Sequence, residues 1–561
     1  MFRLALPCLY VCMALLFGFC GLTPDADDHR TVFHYNESNG ISSLDPAFAR
    51  NLENMWAVNQ LFDGLVQLDA GLQIKPAIAQ SWHISADGRT YTFTLRKDVF
   101  FHDHPVFESG IGRQVVADDV IFSFQRVLDA RLGSPGRWIF DQLSLPHETA
   151  MQAPNDSTVV LTLARPFPPF LGMLTTQYAN IVAREAVEAY GQDFRANPVG
   201  CGPFKFAFWL EDVALVFHKH PNYFERDAQG ERLPYLDAVK ISFVRDVSAQ
   251  YLGLLQGQYH FMSGLHSAYK DELLTPTGSL REAFNGQIYL QKTPFIKTDY
   301  LGILVDSALA FATEHPLHDV RVRQALSYAT DRAAMARYLR NNSVYPATSG
   351  FIPRGMPSYD AQAPQRLGYD LDKAAQLLAD AGYPKGAGLP PIDISVTSDY
   401  TDLCEFLQHQ WSKIGVQVNV DVLSGSVHRE KVAQSQAILF RKSWLADYAD
   451  EENFLMLFHS KNFAPNGPNY THYANAQFDA LYDRALETMH PADRQILYQQ
   501  MDSIIAADLP VIPLYFDQVT HFIRSEVIDF ETNPVNMLNL TRVKIAPAGE
   551  VVGHDQLKSN R

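Results

Sequence analysis

The chain alternates between two hydrophobic periods. Tyr91, Phe93 and Leu95 alternate with Thr92, Thr94 and Arg96, the period-2 pattern of a half-buried strand. Asp87-Gly88 just upstream is a hairpin-turn signal. Asp118-Asp119 then opens a helix whose apolar face carries Val120, Phe122 and Phe124 or Ile121 and Val127. Earlier, TVFHY from Thr31 reads as a strand and Ser42-Ser43-Leu44-Asp45-Pro46 as a loop. A helix follows around Asn54 to Leu61, ending at Asp63-Gly64, and Leu65 to Leu68 form a short strand. Val159, Leu161 and Leu163 alternate in another strand, which Arg165-Pro166-Phe167-Pro168-Pro169-Phe170 breaks. In Pro198-Val199-Gly200-Cys201-Gly202-Pro203-Phe204, two glycines and two prolines around one residue mark a tight chain crossing.

A second half begins near Pro294. Asp319 caps a helix carrying Val320, Val322, Ala325, Leu326 and Ala329, and Asp331 caps another running to Leu339. Asp370 caps a third, which Gly382 and Pro384 stop. A strand over Ile392, Ile394 and Val396, a helix from Asp402 to Ile414 and a strand over Val416 to Val422 then form a βαβ unit, which predicts parallel strands and a right-handed crossover. Two helices follow around Phe478–Leu486 and Asp493–Ala507, and Leu509 to Tyr515 close the half.

At 561 residues the chain exceeds one ordinary core, so two or three domains are expected. Hydrophobic content of 47% against 19% charged describes a globular protein. The net charge of −16 argues against a nucleic-acid partner, which needs clustered Lys and Arg. Arg3 followed by the apolar run Leu4 to Phe19 reads as an export signal, too short to be a membrane span. Cys20 after it is a candidate lipidation site, although Phe19 departs from the small residue usual there. The alternative is ordinary secretion with cleavage a few residues later. Cys8 and Cys12 leave with the signal. The separation of Cys201 and Cys404 then points to two free buried thiols.

Four stretches, PAIAQSW, DGRTYTFTLR, VFFHD and ADDVIFSF, occur in the order found in family 5 extracytoplasmic solute-binding proteins of ABC importers, and the chain resembles that family from about Ser42 to Phe522. SLDPA with FDGLVQLD, the PVGCGPF turn with Cys201 where the family has Thr, and DVRVRQALSYATDRAAM carry the same resemblance. It implies an α/β, two-lobed fold of the type II periplasmic-binding-protein kind, with an extra domain inserted in the N-terminal lobe. After a signal segment (1–20), 30–70, 195–293 and 520–546 would form the base of lobe one. Residues 71–194 would form the inserted domain and 294–519 lobe two, with two strands crossing between lobes as a hinge.

The resemblance also implies the site. Phe440-Arg441-Lys442-Ser443-Trp444-Leu445-Ala446-Asp447-Tyr448 is similar to a segment whose aspartate, in oligopeptide-binding relatives, pairs with the ligand's α-ammonium group; the matching residue is Asp447. A peptide's side chains vary but its N-terminal charge does not, so one carboxylate can anchor many peptides through charge-assisted hydrogen bonds. Read without the resemblance, Asp447 is a helix N-cap or a surface carboxylate. Trp444 would wall the cleft or fill a core. Ser443 replaces the family's glycine beside the ligand, Tyr448 adjoins the anchor, and Arg441 would meet a peptide's carboxylate or lie solvated. Arg50, Asn51 and Leu52 fall in a loop that contacts ligand in relatives.

The implied function is capture of a peptide in the cleft by a monomer and its delivery to a membrane permease driven by a separate ATPase, with no catalytic residue, cofactor or metal. Nickel complexes, oligosaccharides and opines are alternative ligands. A hydrolase using Ser267 and Lys270 of an S-x-x-K pattern is an alternative of another class, but no K-T-G follows. A sensory or adhesive envelope protein is a third. His102-Asp103-His104 could hold a metal, but His102-Asp103 belongs to the family's strand–turn stretch. No G-x-x-x-x-G-K-[ST], H-E-x-x-H or G-x-S-x-G occurs.

Overall fold

The structure, a computed structural model, describes residues 31–362 and 366–547. The signal segment with Cys20 and the tail from 548 onward lie outside the described residues. One continuous mixed sheet runs through the molecule. Its strands lie in the order Val418–Leu423, Ile392–Thr397, Leu439–Leu445, Ile288–Ile303, Val511–Arg524, Phe261–Ser263, Val32–Asn36, Ala238–Ser242, Ala214–Lys219, Phe204–Leu210. Ile392–Thr397 and Val418–Leu423 pair in parallel across the helix Thr401–Ser412, as the βαβ pattern requires.

Two strands make the sheet continuous. Ile288–Ile303 and Val511–Arg524 run antiparallel over nearly their whole length. Near Ile288 they lie beside Phe261–Ser263 of the first lobe, and near Ile303 beside Leu439–Leu445 of the second. Between the two ends the register breaks. Pro294 faces Gln518, but the next pair is Thr298 with Phe516, so the first strand bulges by two residues. Pro294 cannot donate to the ladder, and a bulge bends its strand. The lobes are therefore joined by the least regular part of the sheet.

Each lobe has its own core. Leu301, Ile303, Val322, Leu326, Ile394, Leu407, Trp411 and Leu439 pack together in the second lobe. Phe33, Tyr35, Trp56, Phe93, Phe124 and Val239 belong to the core of the first, which continues across the junction to Phe351, Tyr448 and Phe454. A separate four-stranded antiparallel sheet is laid out as Ala79–Ile84, Thr90–Leu95, Thr158–Thr162, Met151–Asn155. Tyr91, Phe93 and Leu95 are buried, while Thr92 and Thr94 lie on the more open face.

Local chemistry accounts for many element ends. The side chains of Asp319, Asp331 and Asp370 each accept an amide of the following helix turn, from Arg321, Ala334 and Lys373. Arg332 is buried and donates to the carbonyls of Pro513 and Leu367 at 2.7 and 2.9 Å, so a charged residue of the ATDRAAM stretch fastens helix to sheet. Asp45 of the SLDP loop is held by Arg126 at 2.6 Å. A Cβ on Gly200 or Gly202 would lie within 2.1–2.5 Å of the Leu61 backbone, which is why the chain crossing needs both glycines. His102 and His220 donate to the Gly202 carbonyl at 3.0 and 3.1 Å, which gives His102 a structural role beneath that turn. Cys201 and Cys404 are free thiols, both buried.

The sequence pattern marks no element over Leu439–Leu445 and closes the second half at Leu509 to Tyr515. In the structure the first stretch is a strand, and the second opens a strand that runs on to Arg524. In both, the side chains are not simply alternating, because these strands are covered on two faces for part of their length.

Candidate ligand-binding site

The strand Leu439–Leu445 delivers three of the expected residues in alternating directions. Arg441 and Ser443 stand opposite Leu301 and Asp299 of the hinge strand, and Trp444 stands opposite Thr298. Two residues past its end, Asp447 is exposed to solvent but recessed among neighbouring atoms. Desolvation there raises its pKa above the ordinary carboxylate value, and a hydrogen bond from Asn453 works against the rise.

Asn453 organises this corner. Its Oδ1 accepts from the Trp444 indole N–H and from the Asp447 amide, both at 3.0 Å, and its Nδ2 donates to Asp447 Oδ2 at 3.4 Å. One buried amide thus sets the angle of the tryptophan and turns the carboxylate outward. Sequence reasoning missed Asn453. The signal was its place as second residue of a short helix, Glu452–Leu455, six residues after the aspartate.

Asp447, Tyr448 and Asn453 line a cavity of 420 Å³ together with Trp138, Arg165, Phe167 and Met173 of the first lobe. The Trp138 and Tyr448 rings meet across the gap, 5.9 Å between centroids. The Tyr448 hydroxyl is bonded to Glu452, as is that of Tyr482. Burial pushes the Glu452 carboxyl up to about 7, against the pull of both tyrosines. A larger cavity of 1520 Å³ is bounded by residues of the first lobe alone and does not include Asp447. The smaller one is the better ligand site because both lobes contribute to it and because its volume falls in the range of about 300–1,000 Å³ usual for small-ligand pockets.

Arg441 does not stand where a ligand carboxylate could use it freely. Its guanidinium is ion-paired with the fully buried Asp299 and lies over the Tyr400 ring, 3.1 Å from the centroid. Lys297 completes the cluster, 3.2 Å from Asp299 and 2.5 Å from Asp517. The expected carboxylate partner is instead tied to Asp299 on the strand that crosses between the lobes. A guanidinium already facing a buried anion and lying over a ring has less to give a ligand than an unpaired one. Ser443, half-buried, faces Asp299 rather than the 420 Å³ cavity. Leu52 opens the helix Leu52–Leu61, packs against the first core and does not line the 420 Å³ cavity. Lys270 lies in the short helix Ser267–Leu273, its pKa lowered by burial and by the nearby cations Arg340 and Lys292.

Two α/β lobes on one hinged sheet, with a ligand-sized recess between them, define a solute-binding receptor. The chain belongs to family 5 of the bacterial extracellular solute-binding proteins, whose profile matches residues 73–466. The fold is that of type II periplasmic binding proteins, and the family serves ABC importers. The chain is 27% identical over 501 residues to the dipeptide-binding protein of Escherichia coli K12, covering 86% of this chain and 89% of that one. It is 30% identical over 473 residues to heme-binding protein A of Haemophilus influenzae, covering 81% of each. Among solved structures, the ABC transporter-associated periplasmic binding protein DppA of Helicobacter pylori, in complex with the peptide STSA, superposes with a TM-score of 0.70 at 26% identity, covering 92% of this chain and 99% of that one. These relatives are binding proteins, not enzymes. No described helix is long and apolar enough to cross a membrane.

Proposed function

We propose that the protein captures short peptides between its lobes, with Asp447 receiving the α-ammonium group. The observation that carries this is the state of Asp447. It is a recessed carboxylate whose only side-chain hydrogen-bond partner among the described residues is a neutral amide, at 3.4 Å. A carboxylate raised in pKa by desolvation gains from an incoming cation more than a solvated one does. Trp444, fixed by Asn453, and the Tyr448 ring would wall the first ligand residues. The relative named for dipeptides, and the peptide-bound DppA, support the same ligand class.

Residues 71–194 are proposed as the inserted domain, supported by the four-stranded sheet that falls wholly within those bounds. The receptor would work as an exported monomer, held at the membrane through Cys20 if the cysteine is acylated, and would hand its ligand to a permease served by a separate ATPase. Calorimetric titration of the wild-type and Asp447→Asn proteins with di- to pentapeptides tests the proposal. Binding by the wild type and its loss in the variant are expected, and equal affinity in both would end it.

A further inference from the structure

The anchor leaves the other end of the ligand without a partner, since Arg441 is held by Asp299. The lining of the Asp447 cavity holds two long cations. Lys461 is paired with Asp483 at 3.3 Å. Arg165 has no ion-pair or hydrogen-bond partner among the described residues; its side chain is exposed, on the first lobe's side of the cavity. It sits at the strand-breaking Arg165-Pro166-Phe167 turn, whose Phe167 carbonyl accepts from Tyr91 at 3.3 Å. The backbone that presents Arg165 is thus tied to a buried tyrosine. The proline at 166 fixes its own φ and favours extended backbone at Arg165, so the guanidinium stands on a stiff stem.

We infer that Arg165 is the carboxylate partner of the ligand, so that a short zwitterionic peptide spans from Asp447 in the second lobe to Arg165 in the first. This rests on the peptide reading above. The guanidinium fork matches a carboxylate bidentately. The charges of opposite sign lie on opposite lobes, so a ligand bearing both complements satisfies them together only when the lobes are closed. It thereby draws the open–closed balance toward closure by its differential affinity. An extended chain advances about 3.5 Å per residue, and a 420 Å³ cavity bounded by rings at Trp138, Phe167 and Tyr448 suits the shortest peptides.

The test uses Ala-Ala, Ala-Ala-Ala and tetra-alanine, each as free acid and as C-terminal amide, titrated into wild-type, Arg165→Gln, Arg165→Lys and Arg131→Gln proteins. Arg131 serves as control because it is an exposed cation of the first lobe that lines the larger cavity instead. For the wild type, the di- or tripeptide acid is expected to bind about tenfold more tightly than its amide, the scale of one charge-assisted pair. Arg165→Gln should erase that ratio while leaving amide affinity unchanged. Arg165→Lys should keep part of it, and Arg131→Gln all of it. A ratio that survives Arg165→Gln, or one that disappears in Arg131→Gln, overturns the assignment of Arg165 and leaves the role of Asp447 standing. Absence of any peptide binding by the wild type overturns both.

Discussion

Asp299 and Asp447 lie near the same end of one strand pairing and differ in everything that decides their use. Asp299 is fully buried and answered by Arg441 and Lys297. Asp447 is recessed but reachable and answered by one amide. A carboxylate with cations already in place stabilises the fold and has nothing left to offer. A carboxylate whose desolvation is only partly offset holds that energy in reserve for a ligand. On the proposed reading of Asp447, availability, and not charge alone, marks a binding residue.

The contrast is broken most forcefully at the hinge. Asp299→Asn leaves Arg441 and Lys297 without their shared anion, and removing one partner of a buried ion pair costs about 3–5 kcal/mol. A large drop in the denaturant midpoint is expected; an unchanged midpoint would show that the cluster contributes no stability. Asp447→Asn should do the reverse, weakening peptide binding by about 2–5 kcal/mol while leaving the unfolding midpoint nearly where it was. Asn453→Ala sharpens the comparison one step out. It removes three hydrogen bonds around Trp444 and Asp447, and peptide affinity should fall by about 1–3 kcal/mol, with a change in Trp fluorescence.

Acidity separates the sites further. The pKa of Asp447 is raised by desolvation, and ammonium capture needs the ionised form. Affinity should therefore begin to fall on acidification at a higher pH than for an ordinary aspartate near about 3.9, and calorimetry from pH 7.5 downward reads this directly. Glu452 predicts the mildest effect. Its folded value of about 7 lies above the ordinary carboxylate value, so the proton favours the folded state. Its stabilising contribution is complete below the unfolded value and is lost as pH rises through about 7. Glu451, raised to about 7 by burial and by Asp450, adds in the same direction. Glu452→Gln should flatten the fall in melting temperature between pH 5 and 8, and an unaltered slope would remove Glu452 from that account.

Much of the architecture was legible along the chain because its causes are local. Caps at Asp319, Asp331 and Asp370, the βαβ alternation from Ile392 to Val422 and the paired glycines at 200 and 202 each act within a few residues or a single turn. The proposed roles of Asp447, Trp444 and Tyr448 rest on resemblance, because no local pattern singles them out. Arg441 is paired with Asp299, 142 positions away, a contact that no local pattern could reveal. Asn453 and Arg165 carry no signal for a related reason, since an asparagine near a helix start and an arginine before a proline are common wherever chains turn.

By itself the sequence determined the order of elements, the positions where the chain caps, turns and crosses, and the supply of charged residues from which a site could be made. Only the tertiary structure decided which of those charges are spent on one another across the hinge and which still face the gap between the lobes. Pairing depends on distance in space and on exclusion of water, and both are settled only when segments far apart in the chain come together.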